Sequence, residues 1–104
     1  MVNANDLDIL PSKTTLNNYP NPFNPSTTIN FSLASDDHEK IELVIYNLKG
    51  QKVKQLVNEK LSQGTYSVTW QGKDINNKQV SSGIYFAKLK AGREVQTTKL
   101  LLLK

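Results

Sequence analysis

Apolar and polar positions alternate with a period of two along most of this chain, the spacing of strands with one buried face. Thr27–Leu33 sets Ile29, Phe31 and Leu33 on one face and Thr28, Asn30 and Ser32 on the other. Ile41–Tyr46 repeats the alternation with a more apolar second face. Asn47-Leu48-Lys49-Gly50 follows as a turn in which glycine supplies positive φ. Val53–Val57 reads as a shorter, less regular strand. Gln63-Gly64 turns the chain into Thr65–Trp70, where Tyr66, Val68 and Trp70 alternate with Ser67 and Thr69. Gln71–Ser82 is a polar loop broken only by Ile75 and Val80; Gly83 launches Ile84–Lys90, and Ala91-Gly92 turns into Glu94–Leu103. About seven short antiparallel strands, with turn signals every roughly 8–14 residues and no helical period, predict an all-β sandwich. Residues 1–15 read as a linker or edge-strand leader, with Leu7, Ile9, Leu10 and Leu16 able to lay a short strand on a sheet edge. The domain proper is expected over 16–104.

A chain of 104 residues suits one domain, burying roughly 65% of its unfolded surface and leaving little room for an enclosed cleft. It has no cysteine, so packing alone must hold it, without disulfides or a thiolate metal site. The longest apolar run is Leu100–Leu103, far short of the roughly 20 residues that span a bilayer as a helix. The start, Met1–Asp6, lacks the basic and apolar regions of a signal peptide. Met1 is read as an expression start before an excised terminal domain, any export leader lying upstream. Residues 1–39 carry Lys13 against Asp6, Asp8, Asp36, Asp37 and Glu39, net −4, while residues 40–104 carry 12 bases against Glu42, Glu59, Asp74 and Glu94, net +8. A basic half can meet an acidic partner, nucleic acid or lipopolysaccharide included. The bases are interleaved along strands, however, which favours outer-face lysines that keep the domain soluble and no nucleic-acid site.

Reactive groups do not gather. Asp36-Asp37-His38-Glu39 is the one place where carboxylates and histidine meet, and four consecutive loop residues splay rather than converge on an ion. His38 is the only histidine and has no serine elbow or cysteine partner for a nucleophilic relay. Asp74-Ile75-Asn76 begins like a calcium loop, but Gln79 and Tyr85 stand where glycine and a bidentate glutamate are needed. Asn30-Phe31-Ser32 fits the glycosylation triplet inside a strand, and Asn24-Pro25-Ser26 is excluded by its proline. Tyr66, Trp70, Tyr85 and Phe86 are at core spacing, although exposed they would make a base-stacking or sugar-stacking platform. Neither a catalytic residue, nor a metal ligand, nor a cofactor site is expected.

Two segments are too particular to be generic turns. Asn18-Tyr19-Pro20-Asn21-Pro22-Phe23-Asn24-Pro25-Ser26-Thr27 packs three prolines into a stretch that excludes helix and pushes each preceding residue to extended geometry. It is expected to form a rigid, extended lead-in that docks Tyr19 and Phe23. The second runs from Trp70-Gln71-Gly72-Lys73-Asp74 to Val80-Ser81-Ser82-Gly83-Ile84-Tyr85-Phe86. With Ile45–Val53 and the closing Lys99-Leu100-Leu101-Leu102-Leu103-Lys104, these segments resemble the type A C-terminal sorting domain of type IX secretion, over about Asn18 to Lys104. That family is similar in turn to the immunoglobulin-like domain of flagellar hook-capping proteins. The resemblance implies an immunoglobulin-like sandwich that is a signal and not an enzyme. It would be covalently part of a larger cargo, recognised by the type IX translocon of a Gram-negative bacterium and removed by a sortase-like peptidase. Cargo would pass from the periplasm to the cell surface or medium. Gln71 and Asn77 depart from the usual family residues, and asparagine at 77 tolerates left-handed geometry.

The last strand is where recognition is expected. Lys99, Leu101 and Leu103 share one face, and Leu100, Leu102 and Lys104 the other. Only one face of a sandwich strand reaches the core, so one leucine pair faces water unless the Leu7–Leu16 segment or a loop covers it. An uncovered pair, rimmed by Lys99 and Lys104, would dock on the translocon or on a second copy. The rival readings are a structural spacer or assembly module of the same fold, and a carbohydrate-binding accessory module.

Overall fold

The computed structural model describes residues 11, 13–36 and 40–104, and their order is seven strands: β1 (Thr15–Tyr19), β2 (Thr27–Leu33), β3 (Ile41–Asn47), β4 (Lys52–Glu59), β5 (Gly64–Trp70), β6 (Gly83–Ala91) and β7 (Glu94–Leu102). No helix occurs among the described residues. A three-stranded sheet runs β1-β2-β5 and faces a four-stranded sheet running β4-β3-β6-β7; every strand pair is antiparallel. This is the immunoglobulin-like sandwich that alternation and motif together anticipated.

The alternating residues become the core because each sheet has one face turned to the other. Ile29, Phe31 and Leu33 of β2 meet Leu43 and Ile45 of β3 and Ala87 and Leu89 of β6 in one buried cluster. Phe31 also stacks on half-buried Tyr66, ring centroids 5.3 Å apart. The opposite positions of β6, including Ile84 and Lys90, face outward. Asn30 lies on the outer side of β2 and accepts a bond from Ser67 Oγ at 2.6 Å, so its amide is engaged with a neighbouring strand.

The irregularity of β4 has a structural cause: two bulges interrupt its register with β3, one between Leu43 and Val44, the other between Ile45 and Tyr46. The strand nonetheless runs longer than its sequence pattern predicts, over Lys52–Glu59. The Asn47–Gly50 turn closes as expected, with Gly50 at φ 82°. Asn47 Oδ1 accepts from Lys49 N at 3.0 Å and Gln51 N at 2.9 Å.

Every inter-strand connection that carries a motif falls at one end of the sandwich. The lead-in 20–26 joins β1 to β2, the 48–51 turn joins β3 to β4, and the 71–82 loop joins β5 to β6. The last residues of β7 finish at the same end, because Leu102 pairs with Gly83 and Leu101 with Ile84.

Candidate functional site

The proline-rich lead-in and the C-terminal strand, remote in sequence, form one hydrogen-bonded unit. Strand β7 is the last strand of its sheet, so its outer backbone groups need partners or solvent. From Lys99 to Leu103 the lead-in supplies them. Asn21 presents its carboxamide as a peptide group would: Nδ2 donates to Lys99 O at 3.0 Å, and Oδ1 accepts from Leu101 N at 2.9 Å. Phe23 continues the ladder through its backbone, donating to Leu101 O at 2.9 Å and accepting from Leu103 N at 3.0 Å. The result is a short parallel bridge, Phe23 to Leu102. The lead-in thus bends over the β7 edge, where sequence reasoning expected an extended run; the Tyr19-Pro20, Asn21-Pro22 and Asn24-Pro25 peptides are cis.

The side chain of Phe23 fills the end of the core. Its ring is tilted against Trp70 at 5.6 Å, and Trp70 meets Tyr85 edge-on at 5.3 Å. Trp70 Nε1 donates to Lys73 O at 3.0 Å and Tyr85 Oη to Ser81 O at 2.7 Å, so both polar tips tie the 71–82 loop to the core. Burial raises the Tyr85 phenol above its ordinary value of 10.0. Gly72 lets the loop approach the lead-in: it sits at φ 69°, and a Cβ there would stand 3.0 Å from Pro25 O. Pro20 O is held by Thr27 Oγ1 at 2.8 Å, and Asn18 Nδ2 reaches Thr27 Oγ1 at 3.2 Å.

These contacts sort the residues singled out in the sequence. Phe23, Trp70 and Tyr85 are buried together, with Gly72 buried against the lead-in and Gly83 opening β6 beside Leu102. Pro20, Asn21, Pro22, Asn24 and Pro25 lie exposed along the lead-in. Tyr19 does not dock as expected: it is 78% exposed, because β1 turns it away from the core that Phe23 enters. Leu100 and Leu102 are 0% exposed, which removes them from contact with any partner of the folded domain. Leu101 is half-buried, while Lys99, Leu103 and Lys104 are exposed, the last donating its backbone N–H to Ser82 Oγ at 3.0 Å. The outward pair is therefore split, Leu101 half-buried and Leu103 exposed, while the lead-in bonds the β7 backbone beside them; Leu7, Ile9 and Leu10 lie outside the described residues.

Carboxylates near the loops are engaged locally. Asp74 Oδ1 accepts from Asn76 N at 2.9 Å and Lys78 N at 3.0 Å, with Asn77 in the left-handed region at φ 64°. Asp36 Oδ1 accepts from Gln63 N. Asp37, His38 and Glu39 lie outside the described residues; among the described ones no group of three metal-ligating side chains forms. The exposed end carries an open groove of about 500 Å³ between the 47–53 and 74–85 segments, continuous in lining residues with a second of about 330 Å³. Sequence reasoning missed the clamping role of Asn21; its one legible signal was an asparagine between prolines, where no ladder partner is local.

A family model described as secretion system C-terminal sorting domain matches residues 17–103. No curated protein matches the chain. Among solved structures it is similar to PorZ, an essential bacterial surface component of the type-IX secretion system of Porphyromonas gingivalis, at 19% identity and TM-score 0.61, covering 97% of this chain and 12% of PorZ. It is also similar to FlgD from P. aeruginosa at 21% identity and TM-score 0.56, covering 73% of this chain and 57% of that one. Both likenesses speak to the fold, and the chain spans only part of each neighbour.

Proposed function

This chain belongs to the secretion system C-terminal sorting domain family, and on that footing we propose that it acts as the export signal of a larger cargo protein. The domain, whose first strand opens at Thr15, directs that cargo from the periplasm through the type IX translocon and across the outer membrane. A sortase-like peptidase then removes it upstream of the lead-in, leaving cargo at the surface or in the medium. The domain itself does no chemistry: it presents a shape.

One observation supports this reading above the others. The residues that make the sequence distinctive, Asn21 and Phe23 in the lead-in and Lys99–Leu103 at the end, assemble into a single hydrogen-bonded corner over the core. Such a corner exists only when the domain is folded, so it lets a translocon read a completed domain rather than a linear tag. A carbohydrate platform is disfavoured because Trp70 and Tyr85, the aromatics it needs, are 1% and 7% exposed.

The test is a fusion of the full chain, residues 1–104, to the C-terminus of a reporter with an N-terminal leader, expressed in a type IX host. The reporter is expected at the surface or in the medium, with the domain cleaved off. Retention of the intact fusion in the periplasm overturns the reading and favours a structural spacer.

A further inference from the structure

The end of the sandwich that carries the corner is chemically unlike the rest of the surface. Six large hydrophobic side chains are exposed among the described residues, and five of them, Tyr19, Leu48, Ile75, Ile84 and Leu103, stand at this end; only Val95 lies elsewhere. Leu48 and Ile84 line one groove and Ile75 the adjoining one, so three of the five rim a continuous depression. Its polar lining is Asn47, Gln51, Gln79 and Ser81 with Lys52, and the Asp74 carboxylate there is already engaged by its own loop.

Charge is polarised the same way. Lys49, Lys52, Lys73, Lys78, Lys99 and Lys104 belong to this end, with Asp74 as the one carboxylate among its loops. At the other end, among the described residues, Lys13, Lys40, Lys60 and Arg93 meet Asp36, Glu59 and Glu94, four cations against three carboxylates where the first end has six against one. An apolar centre rimmed by unbalanced cations is the composition of a protein-docking surface whose partner is acidic. The open grooves and scattered lysines do not form the convergent nest or arginine fork that recognises a phosphate.

We infer that this end face, with the Leu48–Ile75–Ile84 depression at its centre and the lysine rim around it, docks on an acidic protein surface during export. The inference rests on the sorting function proposed above and names the chemistry of the partner. The lysines speed encounter and set orientation, while the apolar centre holds the complex. The corner formed by Asn21 and Phe23 has a second role here, fixing the β7 end so that Lys99 and Leu103 sit at a constant place on the face.

The test uses the exported reporter fusion. Lys49→Glu, Lys52→Glu and Lys78→Glu together are expected to reduce export about tenfold or more, whereas Lys40→Glu, Lys60→Glu and Arg93→Glu, an equal change of charge at the other end, leave it within about twofold. Leu48→Ser with Ile75→Ser, both at exposed positions, is expected to reduce export comparably. Circular dichroism melts of each variant report folding separately. A photo-crosslinking p-benzoylphenylalanine at position 75 is expected to capture a protein peptide containing Asp or Glu, and the lysine-reversed triple is expected to lose that adduct. Equal losses from both charge reversals, no loss from either, or an adduct only with lipopolysaccharide, nucleic acid or a second copy overturns the inference. If the unmodified fusion is not exported, the sorting function fails and the inference with it; if it is exported and the end-face variants match it, sorting stands and the docking face falls.

Discussion

Asn21 closes a ladder across 78 residues of sequence with a side chain in place of a peptide group. No local rule reaches that far, which is why its neighbours' prolines were legible and its own task was not. Asn21→Ala removes one donor and one acceptor from the β7 edge, and about 1–2 kcal/mol of stability should go with them. Native-state hydrogen exchange checks the mechanism: the Leu101 amide should exchange faster in the variant, while Leu103, held by Phe23 O, changes less. Equal exchange at Leu101 in both proteins would remove the clamp from the account. Tyr85 gives a second handle. Its phenol is neutral in the fold and its folded pKa is raised, so the stability it contributes is complete below pH 10.0 and declines above it, as the unfolded chain loses the proton first. Tyr85→Phe should therefore flatten the fall in urea stability above that pH relative to the parent, at the cost of the 2.7 Å bond to Ser81 O at neutral pH. Parallel alkaline declines in parent and variant would contradict the burial argument.

At the level of elements, the strands were readable because burial on one face imposes a period of two, and Ile29-Phe31-Leu33 or Tyr85-Ala87-Leu89 repeats it without error. The bulges of β4 were not, since an extra residue shifts the period without leaving a mark on composition. For β7 the sequence held two equivalent leucine faces, and the choice is set by its pairing with β6, which puts Leu100 beside inward-facing Tyr85. Leu100 and Leu102 turn out to be core, so deleting Lys99–Lys104 removes two buried leucines worth about 2–5 kcal/mol each. Against a total stability of about 5–15 kcal/mol for a domain, that loss leaves the truncated chain largely unfolded. Circular dichroism should show no cooperative melt for it, and a defect in its export would then report on folding and not on recognition. Lys99→Glu and Leu103→Ser, both exposed, should each stay within about 1 kcal/mol of the parent in urea. A sharp, near-parental melt of the truncated chain would show that the lead-in and remaining strands hold the core without β7's end.

Across the whole molecule the corner does something neither sheet does alone. The lead-in leaves the three-stranded sheet at Tyr19, bonds the four-stranded sheet at Lys99–Leu103, and returns to β2 at Thr27. Phe23 and Trp70 press the same junction from inside, with Trp70 on β5 and Tyr85 on β6 in edge contact across the layers. A sandwich joined this way has no weak plane between its sheets, so opening one layer must break the other. Unfolding should accordingly be a single transition in which Trp70 fluorescence, reporting the junction, and far-UV circular dichroism, reporting both sheets, coincide. Trp70 is the only tryptophan, so the fluorescence signal has one source. Phe23→Ala empties the junction, costing about 3–5 kcal/mol, and its Trp70 signal should move at lower urea than its circular dichroism as the two layers part company. If parent and variant both keep coincident curves, the sheets are coupled through the strands' own packing, and the corner serves the surface it builds more than the core it covers.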